Sequence, residues 1–215
     1  MTSTSRRTVA LTAAALTFAG ALCGCAGVGG ASDTTPSAPT TGAPSATGRL
    51  GFDAGAALDP SWQAQWGDPF IGSTDFTVHT PDDGDGSWAY REEASGCVLG
   101  YWQGRLDGFD AAAGDQAASD ELLAMQFDAD VDEIAVYVGD DISYVSFDGP
   151  IAARSVAGAD RDAGVTYIVS ARAFATIASG LVATLDCPDG VDVYAKWAEL
   201  AADPGAFTAV VGPLG

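Results

Sequence analysis

Four cysteines, one histidine, five tryptophans and 29 acids against nine bases are the side chains from which this chain would have to build any chemistry. His79 is the only histidine, so a zinc site would need Cys97, Cys187 and acids together. No CxxC spacing marks a redox pair, and two cysteines left over in an oxidising compartment pair with each other, so a Cys97–Cys187 disulfide is expected. Glu92 and Glu93 are consecutive, which in a strand sends them to opposite faces rather than into the facing carboxylate pair of a glycosidase. Asp107 and Asp110 are loop acids with no evident partner. No glycine-rich loop precedes a Lys-Ser or Lys-Thr pair, and no GxGxxG opens a helix. The Asp-Gly turn around Asp83 invites calcium, but the helix-loop-helix pattern then needs glycine where Trp88 stands and glutamate where Ala94 stands. Asp128, Asp130 and Asp132 fail the same test at Glu133. The expectation is therefore no catalytic residue, no metal and no cofactor. The remaining ligand-facing candidates are Trp62, Trp66, Trp88 and Trp102, since aromatic faces stack on sugar rings as readily as they pack a core.

The other two cysteines belong to the N-terminus. Arg6 and Arg7 precede an uncharged apolar run over residues 9–22, shorter than the roughly 20 residues a spanning helix needs. Leu22-Cys23-Gly24-Cys25 closes it. This stretch resembles the lipobox of bacterial lipoproteins of high-GC Gram-positive type, with Cys23 standing where Ala, Ser or Thr is usual. The resemblance implies cleavage after residue 24, diacylglyceryl attachment at Cys25 and tethering to the extracytoplasmic face of the cell membrane. Ser5-Arg6-Arg7 also touches the twin-arginine pattern, although Ala10 interrupts its hydrophobic continuation. Up to residue 50 the chain is then Gly, Ala, Ser, Thr and Pro with few large side chains, a composition that cannot bury enough surface to order itself. A tether of this kind spans roughly 25 Å on average.

Residues 51–215 are long enough for a single globular domain with its own core. The net charge of −20 repels nucleic acid and anionic lipid surfaces, and losing Arg6 and Arg7 with the leader sharpens it. The partners expected are the membrane, through the lipid, and an envelope protein or the cell wall.

The elements that must position these residues follow from periodicity. Asp59-Pro60 reads as a helix start, which would set Trp62 and Trp66 on one face. Alternation over residues 75–80 and at Trp88 and Tyr90, around an Asp-Gly turn, predicts a hairpin, and residues 96–103 a further strand. Ala118, Leu122 and Met125 predict a helix over residues 115–126. Alternating Ile134, Val136 and Val138 predict a strand, Gly139-Asp140-Asp141 a turn, and residues 142–147, 151–156, 165–174 and 180–187 further strands. Val193, Trp197, Leu200 and Ala201 predict the last helix. Strands in hairpin succession make an antiparallel sheet. The fold expected is α+β: a mostly antiparallel sheet of about seven strands covered by two amphipathic helices, with one disulfide. This element order resembles the PsbP-like α/β/α architecture; no motif accompanies it, and it assigns no functional residue. Together these features imply a lipid-anchored domain with a binding or scaffolding role, with a solute- or lipid-binding lipoprotein, or a cell-wall hydrolase using acids near the tryptophans, as the alternatives.

Overall fold

The structure is a computed structural model describing residues 50–146, 149–203 and 205–213. The leader, Cys25 and the stalk up to residue 49 lie outside the described residues. Among those described, no helix is long and apolar enough to cross a membrane.

Seven strands form one wholly antiparallel sheet. β2 (Phe76–Thr80), β3 (Ser87–Glu92) and β4 (Val98–Arg105) make one meander; β5 (Gly139–Ser146), β6 (Gly149–Asp160), β7 (Val165–Phe174) and β8 (Ser179–Pro188) make another. β4 pairs with β8, giving the order β2-β3-β4-β8-β7-β6-β5. β1 (Gln63–Trp66) pairs with β9 (Ala209–Gly212) in a separate antiparallel ribbon. The described residues also hold three α-helices, α1 (Gly114–Met125), α2 (Val131–Ile134) and α3 (Val193–Ala202), and two short 3-10 turns, Asp53–Ala57 and Ala111–Ala113.

The connection from β4 through α1 and α2 to β5 carries the chain from one meander to the far edge of the other, so β4 and β8 meet across a long sequence separation. Cys97 and Cys187 are bonded at this seam, one step beyond the Val98–Asp186 pair. Closing a loop of 90 residues stabilises by roughly 4–5 kcal/mol in the chain-entropy model. Both sulfurs belong to buried residues.

Two hydrophobic layers sandwich the sheet. On one face Leu99, Tyr101, Tyr144, Ile168 and Leu185 pack under the β1–β9 ribbon and α3, with Trp66, Trp197 and Phe207. On the other, Val156, Val169, Ala171 and Val182 pack against Leu122 and Leu123 of α1 and Ile134 of α2. β7 and β8 are covered on both sides, so they read as nearly continuous apolar runs. β4 alternates at its start, because α1 packs on β6, β7 and β8 and on that face of β4 reaches only as far as Trp102.

A buried ion pair locks the start of the domain onto the covered half. Arg172 Nη2 lies 2.6 Å from Asp115 Oδ2, with both side chains almost completely buried. The guanidinium sits between Phe52 and Phe174, 4.7 and 4.5 Å from their ring centroids, and donates to Gly51 O and Ala152 O. Asp115 Oδ1 accepts from Ala175 N. Gly55 is required here: a Cβ would lie 1.6 Å from Asp115 Oδ2. Burial lowers the Arg172 pKa to about 10 and raises that of Asp115, and the opposite charge of each works against its partner's shift.

Three elements differ from expectation. Asp59-Pro60 opens a turn, not a helix: Asp59 accepts from Ser61 N through its side chain and from Trp62 N through its carbonyl, and β1 begins at once. Trp66 therefore alternates with Ala64 into the core, and the helical Trp62/Trp66 pairing does not exist. Ile134, Val136 and Val138 do not form a strand. Asp130 and Glu133 make a capping box that starts α2, burying Ile134 and leaving Val136 81% exposed. Residues 139–141 begin β5 instead of turning, held by Asp140 against Arg154 at 2.7 Å.

Candidate binding cleft

The sheet face under the β1–β9 ribbon is not fully covered. Where β1 ends, Trp66 N donates to Gln103 Oε1 at 2.7 Å, fixing the ribbon over β4. Trp66 is fully spent on the core: its Nε1 donates to Trp102 O and Val182 O, and its ring meets Tyr101 and Tyr144 edge-on at 5.4 and 4.7 Å. Burial raises the pKa of both tyrosines, which stay neutral donors to Ala206 O and Ser170 O.

Beyond Trp66 a cleft of about 400 Å3 opens between this ribbon end and the β2–β3 hairpin, a size suited to a ligand site. Trp88 and Tyr90 of β3 and Val78 of β2 share the face that lines it, as the Val78–Tyr90 and Trp88–Tyr101 register pairs require. Trp88 is stacked on Tyr101, with centroids 5.4 Å apart and planes at 25°. Its Nε1–H is buried with no hydrogen-bond partner among the described residues. An orphan donor costs about 1–3 kcal/mol, and such costs gather at functional sites.

The polar wall is acidic. Tyr90 donates its hydroxyl to Asp68 Oδ1 at 2.6 Å. Burial first, then the bond to and charge of Asp68, raise the Tyr90 pKa to about 12, so the phenol keeps its proton and holds the carboxylate in place. Asp82 lines the cleft at the start of the hairpin turn, where its Oδ1 accepts from Gly84 N and Gly86 N. Gly86 is obligatory, with φ of 79° and a Cβ position 2.2 Å from Gln103 O. No basic side chain lines the cleft.

The structure brings only two of the four candidate tryptophans together here. Trp62 is half-buried against the same core but outside the cleft. Trp102 projects from the opposite face of β4, packed so closely that a Cβ at Gly104 would stand 2.6 Å from its ring. Alternation along β4 decides this, because Tyr101 points toward Trp66 and its neighbour cannot. Asp68, Tyr90 and Gln103 went unnoticed in the sequence. Tyr90 carries a signal, two residues from Trp88 in an alternating strand; Asp68 and Gln103 carry none, since only the ribbon's docking brings them near.

Several other polar groups have structural partners. His79 is exposed on β2, its Nδ1 3.4 Å from Arg91 Nη2. Glu92 and Glu93 have separate partners: Glu92 binds Lys196 at 3.0 Å and accepts from Ser95, while Glu93, just past the end of β3, accepts from Thr77 at 2.7 Å. Arg154 bridges Asp120 and Asp140. Asp110 caps Ala112 N. Asp82, Asp83 and Asp85 can bring carboxylate oxygens within 4.8 Å of one another, but all three are exposed, and Asp82 and Asp85 already accept from turn amides. Asp130 is used in the capping box that starts α2.

No protein-family model, no curated protein and no solved structure matches this chain.

Proposed function

We propose that this is a lipid-anchored extracytoplasmic envelope protein whose domain binds a partner and performs no catalysis. The anchor is read from Leu22-Cys23-Gly24-Cys25 and the tether behind it. The binding role is carried by one observation: an open aromatic and acidic cleft on a disulfide-stapled sheet, framed by the rigid pairs Trp88–Tyr101 and Tyr90–Asp68. Its mixed polar lining suits recognition of a polar ligand better than carriage of a lipid chain.

The test has two arms. Intact mass and membrane fractionation of the native protein beside Cys25→Ala should give a lipid-modified, membrane-bound wild type without free thiols and a soluble variant. A photo-crosslinker at exposed Thr80, on the cleft rim, should capture an envelope component that the same probe at exposed Asp107 does not. A soluble, unlipidated wild type removes the anchor, and identical capture from both positions removes the cleft.

A second reading is favoured by the two carboxylates, Asp68 and Asp82, that share the cleft with Trp66 and Trp88. Two acids beside aromatic rings are the side chains of a carbohydrate hydrolase. Release of soluble fragments from purified cell wall by the wild type, abolished in both Asp68→Asn and Asp82→Asn, would select that reading over binding.

A further inference from the structure

The charge around the cleft is one-sided and extends past it. Asp68 and Asp82 line it, Asp83 and Asp85 continue along the hairpin turn, and no Lys or Arg enters the lining. At the other end of β2 lies a second hollow whose walls carry Asp75, Glu93 and Asp203. Lys196 is held by two acids that line that hollow, Glu92 and Glu199, at 3.0 and 2.9 Å. Arg154 and Arg172 are likewise bound to acids, and Arg91, beside Thr77 in the β2–β3 register, lines neither hollow and donates to Gly96 O. The region therefore presents carboxylates beyond both ends of β2, a five-residue strand spanning about 13 Å.

β2 is also the free edge of the sheet, pairing only with β3. Its Val78 is 62% exposed and forms a cleft wall. Opposite stands the indole of Trp88, backed by Tyr101. An aromatic face beside a carboxylate attracts ammonium and guanidinium groups by ring quadrupole and by charge together. An anionic ligand is repelled by the same groups.

We propose that the cleft takes the basic side chain of an extended cationic peptide segment, supplied by a protein partner and laid along β2. The inference rests on reading the domain as a binding module. The placing of acids at both ends of β2 decides for a peptide: a single amino sugar in the cleft reaches only the Asp68 and Asp82 end, whereas an extended chain meets the acids at both ends. Recognition is assigned to side chains in the cleft, where Val78, Trp88 and Asp68 stand together.

The experiment uses the full chain, an octapeptide of alternating Lys and Ser, the same peptide acetylated on every Nε, and tetra-glucosamine. Binding is followed by the indole NMR signals of the five tryptophans, assigned by Trp→Phe variants. The lysine peptide should shift the Trp88 signal and leave that of Trp102, on the opposite face, in place. Acetylation should weaken binding by roughly tenfold or more, as should Asp68→Asn and Val78→Lys, the last by placing a like charge on the cleft wall. Asp107→Asn, an exposed acid away from the cleft, should change nothing. Equal binding of the acetylated peptide, or an equal loss from Asp107→Asn and Asp68→Asn, overturns the cationic assignment. Tighter, Asp68-dependent binding of tetra-glucosamine overturns the peptide and names an amino sugar. Silence of the Trp88 signal with all probes also overturns the assignment; the binding role itself then stands or falls on the Thr80 crosslink.

Discussion

The two meanders of the sheet solve opposite problems. β7 and β8 are covered on both faces, and their one cation, Arg172, is fully buried between Phe52 and Phe174 and paired with Asp115. β2, β3 and β4 are bare on one face and open on the other at the cleft, where Asp68 stays exposed although it is anchored by Tyr90. Both regions contain a hydrogen-bonded carboxylate beside aromatic rings. Access separates them: the same groups make an internal fastening when sealed and a recognition surface when left open.

Breaking the seam between the halves has the largest expected effect. Cys97→Ser with Cys187→Ser should lower unfolding free energy by roughly 4–5 kcal/mol. In hydrogen exchange the loss should be greatest in β2–β4, which lack a second covering layer. Uniform loss across both meanders would remove the distinction drawn between them.

Arg172→Met should cost about 3–5 kcal/mol, because it strands the Asp115 carboxylate in the interior. Its pH dependence is specific. Burial raises the folded-state pKa of Asp115 above 3.8, and Arg172 opposes that rise, so removing Arg172 raises it further. A raised carboxyl contributes stability that is fully present below its unfolded pKa and is lost as pH rises through the folded pKa. Urea denaturation should therefore show the variant closer to wild type at pH 4 than at pH 7. A penalty independent of pH would mean that Asp115 is not sealed.

In the open half, Gly86→Ala should cost about 1–3 kcal/mol through its positive φ and the clash with Gln103 O. It should also disturb the cleft, read as a shifted Trp88 indole signal. Tyr90→Phe frees Asp68 and should cost about 1 kcal/mol, since the carboxylate can turn to water. A loss as large as that from Arg172→Met would show the cleft to be as sealed as the ion pair. The smallest effect, within about 0.5 kcal/mol, belongs to Val136→Lys, because a valine 81% exposed after α2 contributes no burial.

Several elements were legible because their signals are local. Period-two alternation marked β2 and β3, helical spacing marked α1 and α3, and two leftover cysteines implied the disulfide that the β4–β8 seam contains. Failures came where two local rules compete. Asp59-Pro60 serves a turn as well as a helix start, and Ile134, Val136 and Val138 alternate behind Asp130 and Glu133, whose three-residue spacing is that of a capping box.

By itself the sequence determined the fold class, the covalent staple and the acidic surface, since composition and short-range periodicity act over a few residues or over the whole chain. Tertiary structure alone decided which tryptophans meet, that Asp68 and Gln103 join Trp88 and Tyr90, and that Asp115 finds Arg172. Those contacts join residues dozens of positions apart, and the register of β4 against β8 and the docking of β1 on the sheet create them. No pattern within a strand encodes a neighbour on another one.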